Sequence, residues 1–219
     1  MNLTGVLLLT AAAAASPAAG TEVLSGLPTP VRPEARYVFY LHGRIIEEQG
    51  VRPTSPRFGT YEYEEILGEL AKKDVTVISE PRQEGTVAAD YAAKVAGQVR
   101  ALIAAGVPET HITVAGFSKG GVIAMMVSSE LQARGVNYVF MASCGSWLST
   151  APQLHVSGRV LSLFEASDDI GRSCANAFEA AGALAEHREI ELHLGGGHGA
   201  FYRPHPEWID PLLAWAASP

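Results

Sequence analysis

The 219-residue sequence predicts an α/β fold, a three-layer α/β/α sandwich built on a mostly parallel sheet. Three observations carry that prediction. Apolar, strand-like runs alternate with amphipathic helical ones along almost the whole chain. The strand-like runs are apolar on both faces, as strands sandwiched between two helix layers must be. The residues able to do chemistry stand just after strands rather than inside them, which is where open parallel sheets place their ligands.

Each element follows from its own pattern. After a Pro-rich lead-in, TEVLSGLPTPVRPEA, the stretch RYVFYLHG (36–43) is aromatic and β-branched and ends on glycine, as a buried strand does. YEYEEILGELAKK (61–73) places Tyr63, Ile66, Leu67 and Leu70 at helical spacing. DVTVISE (74–80) is a strand again. VAADYAAKVAGQVRALIAAG (87–106) sets Ala88, Tyr91, Val95, Val99, Leu102 and Ile103 on one helical face and stops at Gly106. The strand HITVAG (111–116), a helix from about 119 to 133 and the strand NYVFMASC (137–144) follow. RVLSLFEAS (159–167) reads as a strand, CANAFEAAGALAEH (174–187) as a helix and EIELHLGG (189–196) as the last strand. PEWIDPLLAWAA (206–217) closes the chain as a helix that turns Trp208, Ile209, Leu212 and Trp215 inward. No repeat or linker interrupts residues 31–219, so residues 21–219 are read as a single domain.

Composition narrows the class. Hydrophobic residues at 47% and charged residues at 18% describe a globular chain rather than a disordered one. The net charge of −7, with no Lys/Arg cluster, excludes the basic face that nucleic acid or an anionic membrane surface requires. The first residues differ: NLTGVLLLTAAAAASPAAG is apolar from Leu3 to about Ala15, then small around Ser16 to Ala19. That run is too short to span a bilayer and suits the core of a signal peptide, although no Lys or Arg precedes it. Residues 1–20 are therefore expected to be a signal peptide, and the protein to be exported, periplasmic or secreted, with no membrane span.

The strand ends, taken in order, carry His42-Gly43-Arg44, Glu80-Pro81-Arg82, Ser118, Cys144, Asp168-Asp169 and His198. Gly116, Ser118 and Gly120 spell G-x-S-x-G. In a chain with 22 glycines the spelling is weak by itself; its place between a strand and a helix is what gives it weight.

With these residues in view, the sequence resembles the α/β-hydrolase family over roughly residues 35–217. GFSKG between strand and helix looks like the nucleophile elbow, and YLHGR like the segment that helps form the oxyanion hole. FEASDD follows the penultimate strand, where the family carries its acid, and GGGHGAFYRPHPEWIDPLLAWA is similar to its histidine loop and closing helix. The resemblance implies Ser118 as nucleophile, His198 as base and Asp168 as acid, in the family's chain order. Serine at its free pKa is a poor nucleophile, so a neutral histidine must take its proton and a carboxylate must hold that histidine's tautomer. The oxyanion donors implied are the N–H of Lys119 and the N–H of Gly43 or Arg44. The rivals are His193 and His205 for the base, and Asp169 and, more remotely, Glu165 for the acid. Ser118 as a plain helix N-cap is the bland alternative.

Two features depart from the family's common form. Lys119 stands where a neutral side chain is usual, and Arg44 and Arg82 also follow strand ends. These cations either favour an anionic or strongly polar substrate or pair with Glu47, Glu48, Glu80 or Glu84. Only GSWLSTAPQLHVSG separates the strand ending at Cys144 from the next, too little for a helical lid. A minimal core with no cap domain and an open, shallow pocket is expected, with IIEEQGVRPTSPRFGT (45–60) as one wall. In this fold the strands leading to Cys144 and Cys174 are neighbours, so the two cysteines are expected to form a disulfide.

No zinc-type histidine pair, CxxC pair, P-loop or dinucleotide fingerprint occurs, so neither metal nor cofactor is implied. The expected activity is a serine hydrolase acting on a carboxylic ester with a small or exposed acyl group, through an acyl-enzyme. Its partner is a small-molecule ester; the oligomeric state is open. A thioesterase, peptidase or lactone hydrolase would use the same residues, and a non-catalytic binding module on the same fold is the reading from another class.

Overall fold

The structure is a computed structural model, which describes residues 22–72, 74–150, 154–181 and 183–218. The N-terminal segment expected to be a signal peptide lies outside the described residues.

Along β2 (Arg36–Leu41) the period of two decides the layers. Val38 and Tyr40 enter one apolar core, and Tyr37, Phe39 and Leu41 enter a second on the other face of the sheet. The first core is closed by α2 (Tyr63–Ala71) and by α6 (Pro206–Ala217), whose Trp208 is fully buried. The second is closed by α3 (Ala88–Ala104) and α4 (Lys119–Leu131), through Val95, Val99, Ile123 and Val127. The three layers expected from the two-faced apolar strands are those layers. Burial on both sides leaves β5 (Val75–Ile78), β6 (Ile112–Phe117) and β7 (Asn137–Met141) without one exposed residue.

The seven-stranded sheet runs β1-β5-β2-β6-β7-β8-β9, where β1 is Glu22–Leu24, β8 is Ser157–Glu165 and β9 is Ala183–Leu192. Every pairing within it is parallel. Because β6, β7, β8 and β9 are consecutive neighbours, the segments after them come out along one edge of the sheet. That edge brings the residues around 118, 144, 168 and 198 together.

Three local expectations are corrected. The helix expected over 174–187 is only the short α5 (Ala175–Glu179), and β9 begins at Ala183. Ala-rich composition favours helix, but nine residue pairs along β8 draw this segment into the sheet, and the ladder outweighs a propensity of tenths of a kcal/mol per residue. The Pro-rich lead-in supplies the edge strand β1, in register with Thr76 to Ile78. Residues 45–60 are not plain loop: they hold α1 (Arg44–Gln49) and a small antiparallel pair, β3 (Thr54–Ser55) with β4 (Gly59–Thr60). Among the described residues between β7 and β8 stands the 3-10 segment Ser146–Thr150. Among the described residues, no helix is long and apolar enough to cross a membrane.

Candidate active site

Ser118 occupies the single residue between β6 and α4, with φ 54° and ψ −120°. A non-glycine residue there carries strain of about 1–3 kcal/mol, which persists only where the surroundings impose it. Here they do. The Ser118 N–H donates to the Met141 carbonyl at 2.9 Å, holding the turn against β7. A side chain at Gly116 would put its Cβ 2.2 Å from the Gly120 carbonyl oxygen, and one at Gly120 would lie 1.9 Å from that of Leu41. Gly121, a position sequence reasoning passed over, is equally closed: a Cβ would meet Ser143 Oγ at 1.6 Å. The glycines are what let α4 descend onto the sheet directly behind the serine.

His198 lies on the 3-10 turn Gly197–Phe201 beyond β9. Its Nε2 stands 2.9 Å from Ser118 Oγ and its Nδ1 2.8 Å from Asp168 Oδ2. An ionised carboxylate can only accept, so Nδ1 carries the proton and the Nε2 lone pair receives the serine O–H. The ring packs against Phe117 and Phe58, at centroid separations of 4.8 and 6.0 Å. Asp168 is buried, and its other oxygen accepts the N–H of Ile170 at 2.8 Å. Asp169 instead faces solvent and pairs with Arg57 at 2.9 Å, which holds its carboxyl below the usual range. His193 is exposed beside Glu191, and His205 stands at the residue before α6. Of the candidates, the structure brings Ser118, His198 and Asp168 into one hydrogen-bonded chain.

Glu165 has a different place from the remote acid. It is buried at the end of β8 and accepts the N–H groups of Leu194 at 2.8 Å and Gly195 at 3.1 Å, with the Ser167 hydroxyl at 2.9 Å. Ser167 Oγ in turn accepts the Gly197 N–H at 3.0 Å. Burial pushes the Glu165 pKa up, but these donors outweigh it and hold it below the ordinary value. The carboxylate thus ties the Asp168 loop to the His198 loop.

The cations after the strand ends are largely spoken for. Arg82 Nε donates to Glu47 Oε1 at 2.7 Å, and Lys119 Nζ donates to the other oxygen of Glu47 and to the Thr86 carbonyl at 2.7 Å. Pairing with Glu47 was one of the two readings of these cations, and it is the one the contacts support. Glu80 pairs with Lys94. His42 is buried: its Nδ1 sits 2.8 Å from the Gly43 carbonyl, and its Nε2 accepts the Arg82 N–H at 2.8 Å. Burial and the Arg82 guanidinium bring its pKa from 6.5 down to about 3, so this imidazole is neutral and locked.

Ser118 and His198 open into a cleft of about 770 Å³ shared with Gly43, Arg44, Lys119 and Trp147. Ile45, Pro56 and Phe58 supply one wall, from the 45–60 segment. Lys119 begins α4 and Arg44 follows the turn residue Gly43, so neither N–H has an acceptor within its own helix. Those are the groups expected as oxyanion donors. Cys144 and Cys174 are joined in a disulfide, with a Cα–Cα distance of 5.2 Å, and the Arg172 N–H donates to the Cys144 carbonyl at 2.8 Å. The bridge fastens the stretch that follows Asp168 to the end of β7. Among the described residues, no group of three or more His, Cys, Asp or Glu could hold a metal ion.

The fold has counterparts among solved structures. A metagenome-derived lipolytic enzyme of the LipS and LipT pair is 14% identical, with a TM-score of 0.58 over 91% of this chain and 98% of its own. Arabidopsis thaliana SOBER1 is 13% identical, with a TM-score of 0.50 over 82% of this chain and 99% of its own. A truncated carbohydrate esterase from gut microbiota is 14% identical, with a TM-score of 0.50 over 88% of this chain and 90% of its own. At these identities the likeness is one of fold. No curated protein matches the sequence. Residues 77–178, from β5 through the nucleophile-elbow segment to α5, match the family model described as alpha/beta hydrolase. By that match, which spans just under half of the chain, and by its fold, the protein is similar to the α/β-hydrolases.

Proposed function

We propose that this protein is a serine hydrolase that cleaves carboxylic esters with small or exposed acyl groups, with Ser118 as nucleophile, His198 as general base and acid, and Asp168 as the orienting carboxylate. The reading rests above all on the hydrogen-bonded chain from Asp168 through His198 to Ser118, set on a strained turn. His198 Nε2 takes the hydroxyl proton as Oγ attacks the ester carbonyl, and Asp168 stabilises the imidazolium that forms. The oxygen of the tetrahedral intermediate is received by the N–H of Lys119 and that of Gly43 or Arg44. The imidazolium returns its proton to the departing alcohol, leaving an acyl group on Ser118. Water then enters by the same steps in reverse order of proton transfer and releases the acid.

The substrate class follows from the cleft. Phe58, Val122, Trp147, Ile170 and Tyr202 present apolar surface around Ser118, and no helical cap covers it among the described residues. The fold neighbours bear names of lipolytic and carbohydrate esterases, which is consistent with ester chemistry. The disulfide agrees with an oxidising compartment and with the signal peptide expected at residues 1–20. Hydrolysis of p-nitrophenyl esters graded from acetyl to long acyl chains tests the proposal. The purified protein should turn over the short esters best, and Ser118→Ala and His198→Ala should each abolish turnover. Equal turnover by Ser118→Ala would overturn the assignment.

A further inference from the structure

Lys119 stands in the first turn of α4, where the helix macrodipole disfavours a cation. Its ammonium turns to Glu47 and the Thr86 carbonyl. Glu47 lies within the six-residue α1, three residues past Arg44, and its carboxylate is 2% exposed. A helix of that length has little stability or fixed orientation of its own. The other Glu47 oxygen takes Arg82 Nε, and the Arg82 side chain is fully buried with its guanidinium carbon 5.3 Å from the Tyr91 ring centroid. Arg82 in turn grips the His42–Gly43 turn twice, through its N–H to His42 Nε2 and through its guanidinium to the His42 carbonyl. One carboxylate therefore connects the residue after the nucleophile, at 119, to the turn that carries Gly43 and Arg44.

These are the two places from which the oxyanion donors come. We propose that Glu47 and Lys119 are positioning residues for the oxyanion hole: their ion pair, anchored by Arg82, fixes the N–H of Lys119 relative to the N–H of Gly43 and Arg44. The inference rests on the serine hydrolase reading. It explains why a cation is kept at an unfavourable helix end and why a carboxylate is kept buried beside the site. The turn also fits closely on β6, where a Cβ at Gly43 would lie 3.1 Å from the Phe117 ring. Donors preset for a tetrahedral oxygen act on the transition state, and a shift of about 1 Å costs on the order of 100-fold.

The test is Lys119→Met, which cuts the tie between the two donors while leaving the neutral Glu47–Arg82 pair in place, alongside Lys119→Arg, which restores a cation. Active sites are counted by fluorophosphonate titration, and kcat, KM and the Ki of a trifluoromethyl ketone are measured with p-nitrophenyl acetate as substrate. Lys119→Met should lower kcat about 10- to 100-fold with KM within about threefold, and weaken the ketone by the same factor as kcat/KM. Lys119→Arg should recover most of the loss. A Lys119→Met protein with kcat per titrated site and ketone Ki within twofold of the parent would overturn the positioning role, whatever its Tm. A folded parent that takes no fluorophosphonate would instead overturn the hydrolase reading and this inference with it.

Discussion

The buried His42 makes the fold sensitive to acid in a way that can be worked out from its surroundings. The imidazole is 0% exposed, and burial followed by the Arg82 guanidinium brings its pKa down to about 3. In the unfolded chain it returns to about 6.5. Between those values the unfolded chain binds a proton that the folded chain refuses, so stability is lost as pH falls through about 6.5 toward 3. At about 1.4 kcal/mol per pH unit, going from pH 7 to pH 4.5 removes about 2–3 kcal/mol. His42→Asn keeps polar atoms beside Gly43 and Arg82 but cannot titrate. Urea unfolding of both proteins at the two pH values isolates the contribution, because every other titrating group is common to them. The variant is less stable at pH 7, yet should lose about 2–3 kcal/mol less than the parent on acidification. Identical losses in the two proteins would refute the buried, neutral assignment of His42.

Two further outcomes follow from the geometry. Ser118→Gly and Ser118→Ala are both expected to be inactive, but glycine tolerates φ 54° and alanine does not. The glycine variant should be more stable by about 1–2 kcal/mol in urea unfolding, and equal stabilities would mean that the turn stores no strain. Reducing the Cys144–Cys174 bridge, which spans 30 residues, should cost about 3–3.5 kcal/mol in the same assay. An unchanged midpoint in reductant, with both thiols free, would show that the bridge contributes nothing to stability.

The sheet and its helices were legible because their sequence patterns are periodic: β2, β6 and β7 are apolar but for Arg36, Thr113 and Asn137 at or near their starts, and α3 repeats its apolar face over four turns. What failed was decided by distant pairing. Residues 183–187 are composed like helix, and only the length of β8 beside them makes them strand. β1 is three residues of an otherwise Pro-rich segment, too short to carry a period. The same division holds at the site. Ser118, Asp168 and His198 announce themselves by following strands, as do Gly43 and Arg44, and Lys119 by adjacency to Ser118. Glu165 was in view, but as a remote candidate acid; its hold on Leu194 and Gly195 lies 29 and 30 residues downstream. Glu47 was one of four possible partners for the cations, and nothing local marks it as the carboxylate that takes both Arg82 and Lys119.

The central claim, an activated Ser118, is tested most directly by a fluorophosphonate probe read by intact mass. The parent protein should gain one probe adduct, located on Ser118, and Ser118→Ala and His198→Ala should gain none. A folded parent that stays unlabelled, or an adduct that persists in Ser118→Ala, would contradict it.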